Sequence, residues 1–247
     1  MSDTARHIVK SFDQELRHLR ALMTRMGGLV ESQLALATEA IVEQNGAAAA
    51  KAVEQDPAVD ALEREVEAFV IRLLALRQPM AGDLREVVAA LKITAALERI
   101  GDYAANVAKR SIVLAQFRLP FGTAALANMS RLVQENLRLV IDAVGAGDID
   151  KAVQVWRSDH EIDDLYNAIF RELITYMMED PRSITPCTHL LFIAKNLERI
   201  GDHATNIAEN VHYAATGEAL PEGRPKGDAS PAYAAVRPRE PDGRERD

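Results

Sequence analysis

Apolar residues return every three or four positions along most of this chain, the period of a helix that buries one stripe. One such stripe runs through Val53, Val59, Leu62, Val66, Phe69, Val70 and Leu73 and is bounded by Gln78 and Pro79. The next begins near 82–84 and continues to about 116 on Val87, Leu91, Ile93, Leu97, Ile100, Ala104 and Val107. Upstream, a long helix is expected from 3 to 44, supported by neighbours or broken near Gly27 and Gly28, with Asn45 and Gly46 ending it. Pro57 either kinks the second helix or marks its first turn. Pro120, Phe121 and Gly122 punctuate the midpoint, and three further helices are expected over 123–144, 148–178 and 185–216. Short connections make consecutive helices antiparallel, so the fold class is all-α: two tandem, pseudo-symmetric three-helix bundles over 1–118 and 119–216. Trp156, Tyr166, Phe170, Met177 and Met178 fall on apolar helical positions and are assigned to packing.

The two halves are copies. LKITAALERIGDYAANVAKR from Leu91 and LFIAKNLERIGDHATNIAEN from Leu191 agree at eleven of twenty positions, and a repeat of this kind means one structural unit used twice. Asp56 and Asp60 precede the first block as Asp159 and Asp163 precede the second, at an offset of 103 residues where the blocks themselves keep 100. A three-residue insertion accounts for the slip. Lys51, Ala52 and Val53 reappear as Lys151, Ala152 and Val153 around it.

Composition narrows the partners. The formal charge of −8 lies wholly in the body, because 221–247 carries six basic and six acidic side chains, and an acidic body disfavours nucleic acid. Cys187 is the single cysteine and is assigned to packing, which excludes an intrachain disulfide and a two-cysteine metal or redox motif. The N-terminal MSDTARHIVKSFDQELRHLR mixes acids and bases without an apolar core, so neither a signal peptide nor a membrane helix is expected, and the location expected is cytoplasmic. Five prolines and balanced charge beyond Gly217 read as a disordered tail over 217–247.

The chemistry concentrates in the repeated blocks. Glu98, Asp102 and Asn106, and again Glu198, Asp202 and Asn206, stand four residues apart and line one face of each helix. At ~100° per residue that face lies away from the apolar stripe, so these side chains are expected to point outward from the bundle core. Antiparallel packing brings Asp56 with Asp60, and Asp159 with Asp163, alongside them. Carboxylates crowded together repel unless cations or basic side chains neutralise them. Oxygen donors without thiolates suit iron or manganese first, with magnesium next, and disfavour a structural zinc site. Salt bridges from arginine are the alternative, but Arg99 and Arg199 lie one position round their helices and are better placed for inter-helix or partner contacts. His203 faces Tyr103 in the repeat, and His160 faces Pro57, so neither serves as a ligand common to both halves. Gly101 and Gly201 sit inside helices at a cost in propensity, which points to close approach of another helix or a cluster.

PMAGDLREVVAALKITAALERIGDYAANVAKR from Pro79 and LLFIAKNLERIGDHATNIAENVHY from Leu190 resemble the PhoU family of phosphate-uptake regulators, and the likeness covers about residues 5–216. What it implies is a helical adaptor, not an enzyme, that restrains the phosphate-starvation response by linking the ATPase of a phosphate ABC transporter to a membrane sensor histidine kinase. It also implies a homodimer and metal held by Asp56, Asp60, Glu98 and Asp102 and by Asp159, Asp163, Glu198 and Asp202, with Asn106 and Asn206 as adjacent candidates; zinc joins the possible ions. The runner-up is a metal-binding helical adaptor for another transporter or kinase. A third reading, a carboxylate-bridged di-iron enzyme, lacks the Glu-x-x-His pairs on the matched helices, Glu209 and His212 having Lys109 and Ile112 as counterparts.

Overall fold

Side-chain caps open two of the described α-helices, and left-handed residues close three. A computed structural model describes residues 3–117 and 123–221, with side chains in the first helix from Phe12 onward. Six α-helices follow one another among these residues: α1 (Asp3–Val42), α2 (Gly46–Arg77), α3 (Ala81–Leu114), α4 (Ala124–Ala146), α5 (Ile149–Glu179) and α6 (Ile184–Thr216), with a 3₁₀ turn at Pro181–Ser183. The side chain of Asn45 caps α2 by accepting from Ala47 N and Ala48 N at 3.0 and 3.2 Å. Asp148 does the same for α5 through Lys151 N at 3.1 Å. These two caps are 103 residues apart, so that offset holds from the first turn of each second helix, and the match of Lys51 with Lys151 is not a structural equivalence. The slip belongs to the hairpins that join α2 to α3 and α5 to α6. Left-handed Gly147 and Gly217, φ 66° and 78°, end α4 and α6, a conformation that suits a residue without Cβ.

The long first helix runs unbroken through Gly27 and Gly28. Gly27 is there for a neighbour: a Cβ on it would stand 2.9 Å from Ile141 of α4. Pro57 lies inside α2, a full three turns in, and neither ends nor starts it. Pro120 to Gly122, the 118/119 boundary and the tail from 222 lie outside the described residues.

α1, α2 and α3 pack together in the first half, and α4, α5 and α6 in the second. The halves then join along two antiparallel seams. On one, Gln134 Nε2 donates to Thr38 Oγ1 at 2.9 Å, tying α4 to α1. On the other, Tyr103 and His203 stack with centroids 5.7 Å apart, and Arg110, further along α3, covers Phe192, earlier on α6, at 4.1 Å. The buried apolar side chains of both halves therefore form one continuous core instead of two separate ones. Met26, Leu34, Leu97, Ile100, Ile162 and Ile200 are among its fully enclosed members, each contributing ~1.5–3 kcal/mol by leaving water. Cys187 is buried in it. Trp156, Tyr166 and Met177 pack against its edge, whereas Phe170 and Met178, assigned to packing from their spacing, are 42% and 81% exposed. Met178 stands in the last turn of α5, whereas Phe170 lies between the buried Ile169 and Leu173 and faces outward. Ile71 likewise faces outward between the buried Val70 and Leu73, and Leu76 and Met80 are exposed at the α2–α3 hairpin.

Candidate carboxylate site

Two glycines let the acid-bearing helices meet closely. A Cβ at Gly201 would stand 2.8 Å from Ile162 Cδ1 of α5, and one at Gly101 would stand 3.1 Å from Gln33 Oε1 of α1 and 3.3 Å from Val59 Cγ1 of α2. The close approach expected at these positions is present in both halves. It draws α2 against α3 and α5 against α6, and with them the flanks that carry the acids.

Those flanks are not the outward faces that the helical wheel places there. Asp159, Asp163 and Glu198 are buried; Asp56, Asp60, Glu98, Asp102, Asp202 and Asn206 are half-buried, and only Asn106 is exposed. A wheel drawn for one stripe underestimates coverage, because α3 and α6 each touch three other long helices. In the first half Glu98 lies in the field of Asp102, Glu63 and Asp60. In the second Glu198 lies in that of Asp202 and Asp163. Asp56 is held from α1, where the fully buried Gln33 donates Nε2 to its Oδ1 at 3.1 Å and to Ala52 O at 3.0 Å. Asp159 is held from α6 by the Thr205 hydroxyl at 3.0 Å.

Arg99, assigned to contacts elsewhere, instead folds back over its own acids, with Nε 3.3 Å from Glu98 Oε2 and Nη1 3.2 Å from Asp102 Oδ2. Its long stem lets it span its neighbour Glu98 and Asp102 one turn on. At 58% exposure it screens them only weakly. Arg199 is further off, 4.0 Å from Glu198 Oε2. His203 is taken up by the Tyr103 stack, and His160 is exposed with Nδ1 2.9 Å from Arg157 O.

A family model described as the PhoU domain matches the chain twice, over residues 23–111 and 126–211. The chain belongs to the PhoU family. A Caulobacter vibrioides relative, a phosphate-specific transport system accessory protein PhoU homolog, is 53% identical over 223 residues, covering 90% of this chain and 97% of that relative. The Zymomonas mobilis protein of the same description is 51% identical over 87% of this chain and 91% of its own length. Among solved structures, PhoU from Pseudomonas aeruginosa superposes with a TM-score of 0.82 at 39% identity, covering 84% of this chain and all of that one. The phosphate transport system regulatory protein PhoU from Streptococcus pneumoniae reaches 0.78 at 31% identity, with 85% of this chain and 99% of that one covered.

Within this PhoU fold the acids perturb one another. Burial, followed by the Asp102 carboxylate, pushes Glu98 up from the ordinary glutamate range against the opposing pull of Arg99. Burial also pushes Glu198 up, opposed by its hydrogen bond from Lys195. The donor set is oxygen-only, and one member is short of partners: Glu198 Oε2 is buried with no hydrogen bond. That chemistry fits a hard cation. Among the described residues, however, no three His, Cys, Asp or Glu side chains are gathered as a ready-made metal group, so a cation would draw the carboxylates inward.

Four contributors escaped the motif reading. Gln33 and Thr205 fix the acids, Lys195 pairs with Glu198 at 2.7 Å, and Glu63 adds a carboxylate one turn after Asp60. Gln33 had a visible signal, as a lone polar residue in line with Met26, Val30 and Ala37. Glu63 makes a pH-dependent contribution that can be measured. Burial, then the Glu67 and Asp60 carboxylates, raise its pKa, with Arg99 and Arg64 opposing. Stability from its protonated form is fully present below the ordinary glutamate value of about 4.3 and is lost as the pH rises through the raised value. In chelator, Glu63→Gln is therefore expected to melt above the parent protein at about pH 7.5 and to lose that advantage toward about pH 4.5. A pH-independent difference in melting temperature would refute the assignment.

Proposed function

We propose that this chain is a cytoplasmic adaptor that restrains phosphate uptake and the phosphate-starvation response, contacting the ATPase of a phosphate ABC transporter and a membrane sensor histidine kinase as a homodimer. The observation that carries this reading is the end-to-end match to proteins described as accessory to a phosphate-specific transport system, at 53% identity over 90% of the chain. The surface agrees with a role in protein contacts, since apolar side chains stand exposed at both hairpin ends, including Met80 at 79% and Met178 at 81%. No described helix is long and apolar enough to cross a membrane; in this reading the adaptor meets its membrane partners at their surfaces.

Metal belongs to the same reading. Asp56, Asp60, Glu98 and Asp102 would hold it in the first half and Asp159, Asp163, Glu198 and Asp202 in the second, with the Asn106 and Asn206 amides as neutral donors. Iron or manganese suits these oxygens first, with magnesium or zinc as further candidates. A cation bound there would supply positive charge that holds the second and third helices of each half together. Catalysis is not part of the proposal: His212, the one histidine in Glu-x-x-His spacing on these helices, has Nδ1 3.0 Å from Glu218 O at the end of α6.

Deletion of the gene in a cell without a second copy tests the regulatory role. Phosphate uptake and starvation-response output in high phosphate are expected to rise, and the intact gene to reverse both. Complementation with Asp102→Asn/Asp202→Asn then shows whether the acidic sets matter to regulation. Uptake and response unchanged by deletion would remove the phosphate-regulator reading.

A further inference from the structure

The two acidic faces share their motif residues and differ in what balances them. On α6, Lys195 precedes Glu198 by one turn, and its Nζ donates to Glu198 Oε1 at 2.7 Å. The same ammonium lies 4.9 Å from the centre of the Tyr166 ring on α5, a cation–π contact that holds it over the seam. The positions that correspond in the first half are Ala95 and Glu63. An amine and an aromatic platform in one half are thus a methyl group and a further carboxylate in the other. Glu198 is also the more deeply set glutamate, its side chain 6% exposed against 18% for Glu98. Its second oxygen, Oε2, is buried without a hydrogen-bond partner. The nearest cation on that side, Arg199 Nε, is 4.0 Å away and beyond hydrogen-bond range, so the carboxylate is half satisfied by an internal cation and keeps one acceptor without a hydrogen bond.

We propose that Lys195 is the resident cation of the second acidic face, occupying the place at Glu198 that a hard divalent ion would take, so that such an ion binds there only by displacing it. The inference rests on the metal reading given above. An ammonium and a dication on one carboxylate repel strongly at close range. Lys195 is able to leave: its side chain is 33% exposed, and its flexible stem lets the ammonium swing to water while the methylenes stay against Tyr166. The first face has no lysine in that place; its one close cation is Arg99, which at 58% exposure is shared between Glu98 and Asp102 and gives way to a dication more readily, and Glu63 stands there as a further donor. Divalent ions therefore load the first half before the second, although the motif residues are the same.

Titration of the chelator-treated full chain with Mn²⁺ alone, followed by calorimetry and by the paramagnetic resonance of free Mn²⁺, tests this. With the first half silenced by Asp102→Asn, adding Lys195→Met is expected to tighten Mn²⁺ binding at least tenfold. With the second half silenced by Asp202→Asn, the same change is expected to leave the affinity alone. In chelator Lys195→Met is expected to melt below the parent protein, because it strands a buried carboxylate, and either Mn²⁺ or a second change, Glu198→Gln, is expected to restore the melting temperature. The restored melts show that the variant folds. Affinity that is unchanged or weaker in Asp102→Asn/Lys195→Met, while the parent protein binds Mn²⁺, overturns this inference alone. No Mn²⁺ on any chain, the parent included, overturns the metal reading and this inference with it.

Discussion

Valine at position 201 is expected to lower the melting temperature by roughly 5–10 °C, the equivalent of about 2–3 kcal/mol for a chain of this size. The added Cβ would fall 2.8 Å from Ile162 Cδ1 and 3.4 Å from its Cγ2. Ile162 is itself 1% exposed, so it has no open rotamer to take, and the branched side chain forces α5 away from α6. Two controls separate this clash from glycine's general effects. Gly101→Ala meets Gln33 Oε1 at 3.1 Å and Val59 Cγ1 at 3.3 Å, contacts that relax by a few tenths of an ångström, and is expected to cost less. Gly28→Ala meets nothing within 4 Å and is expected to stabilise by about 0.5–1 kcal/mol through helix propensity. Melting followed by circular dichroism ranks the three. If Gly201→Val melts with the parent protein, the α5–α6 seam is looser than a 2.8 Å approach to Ile162 requires, and the acids of the second half are correspondingly less enclosed.

Much of this architecture is legible before any coordinates. The 3.6-residue period places all six helices, and Asn45, Gln78 and Gly217 mark ends that the helices respect within a few residues. The repeated glycines announce a close helix approach because a mid-helix glycine is disfavoured without one. Burial of the acids is not legible, since periodicity describes one helix against one core, and Glu198 is covered only because α6 packs on α3, α4 and α5 together. Arg99 shows a second limit. Its direction on a wheel differs from that of Glu98, yet a flexible guanidinium reaches both Glu98 and Asp102. Lys195 and Glu63 are hidden for the opposite reason: they occupy positions where the halves differ, and a search for what repeats passes over them.

Gln33→Glu is expected to be among the most damaging single substitutions in the first half, at about 3–5 kcal/mol near neutral pH. The side chain at 33 is fully enclosed, and its amide nitrogen is the donor that joins α1 to Ala52 O and to Asp56 Oδ1. A carboxylate has no proton to give. Both bonds vanish, two acceptors are left facing it, and the new charge lies against that of Asp56 in a place water does not reach. The loss carries a pH signature. Burial and Asp56 raise the pKa of the introduced acid in the folded state, so its share of stability is present below about pH 4.3 and disappears as the pH rises through the raised value. The gap in melting temperature between variant and parent is therefore expected to be widest near pH 7–8 and to narrow on acidification, because the protonated acid recovers one donor. Gln33→Leu removes the same two hydrogen bonds without adding charge, and its smaller loss of about 1–3 kcal/mol is expected to be flat with pH. Coincident melts for the two variants at every pH would mean that Gln33 only fills space, and that Asp56 is not held in place from α1.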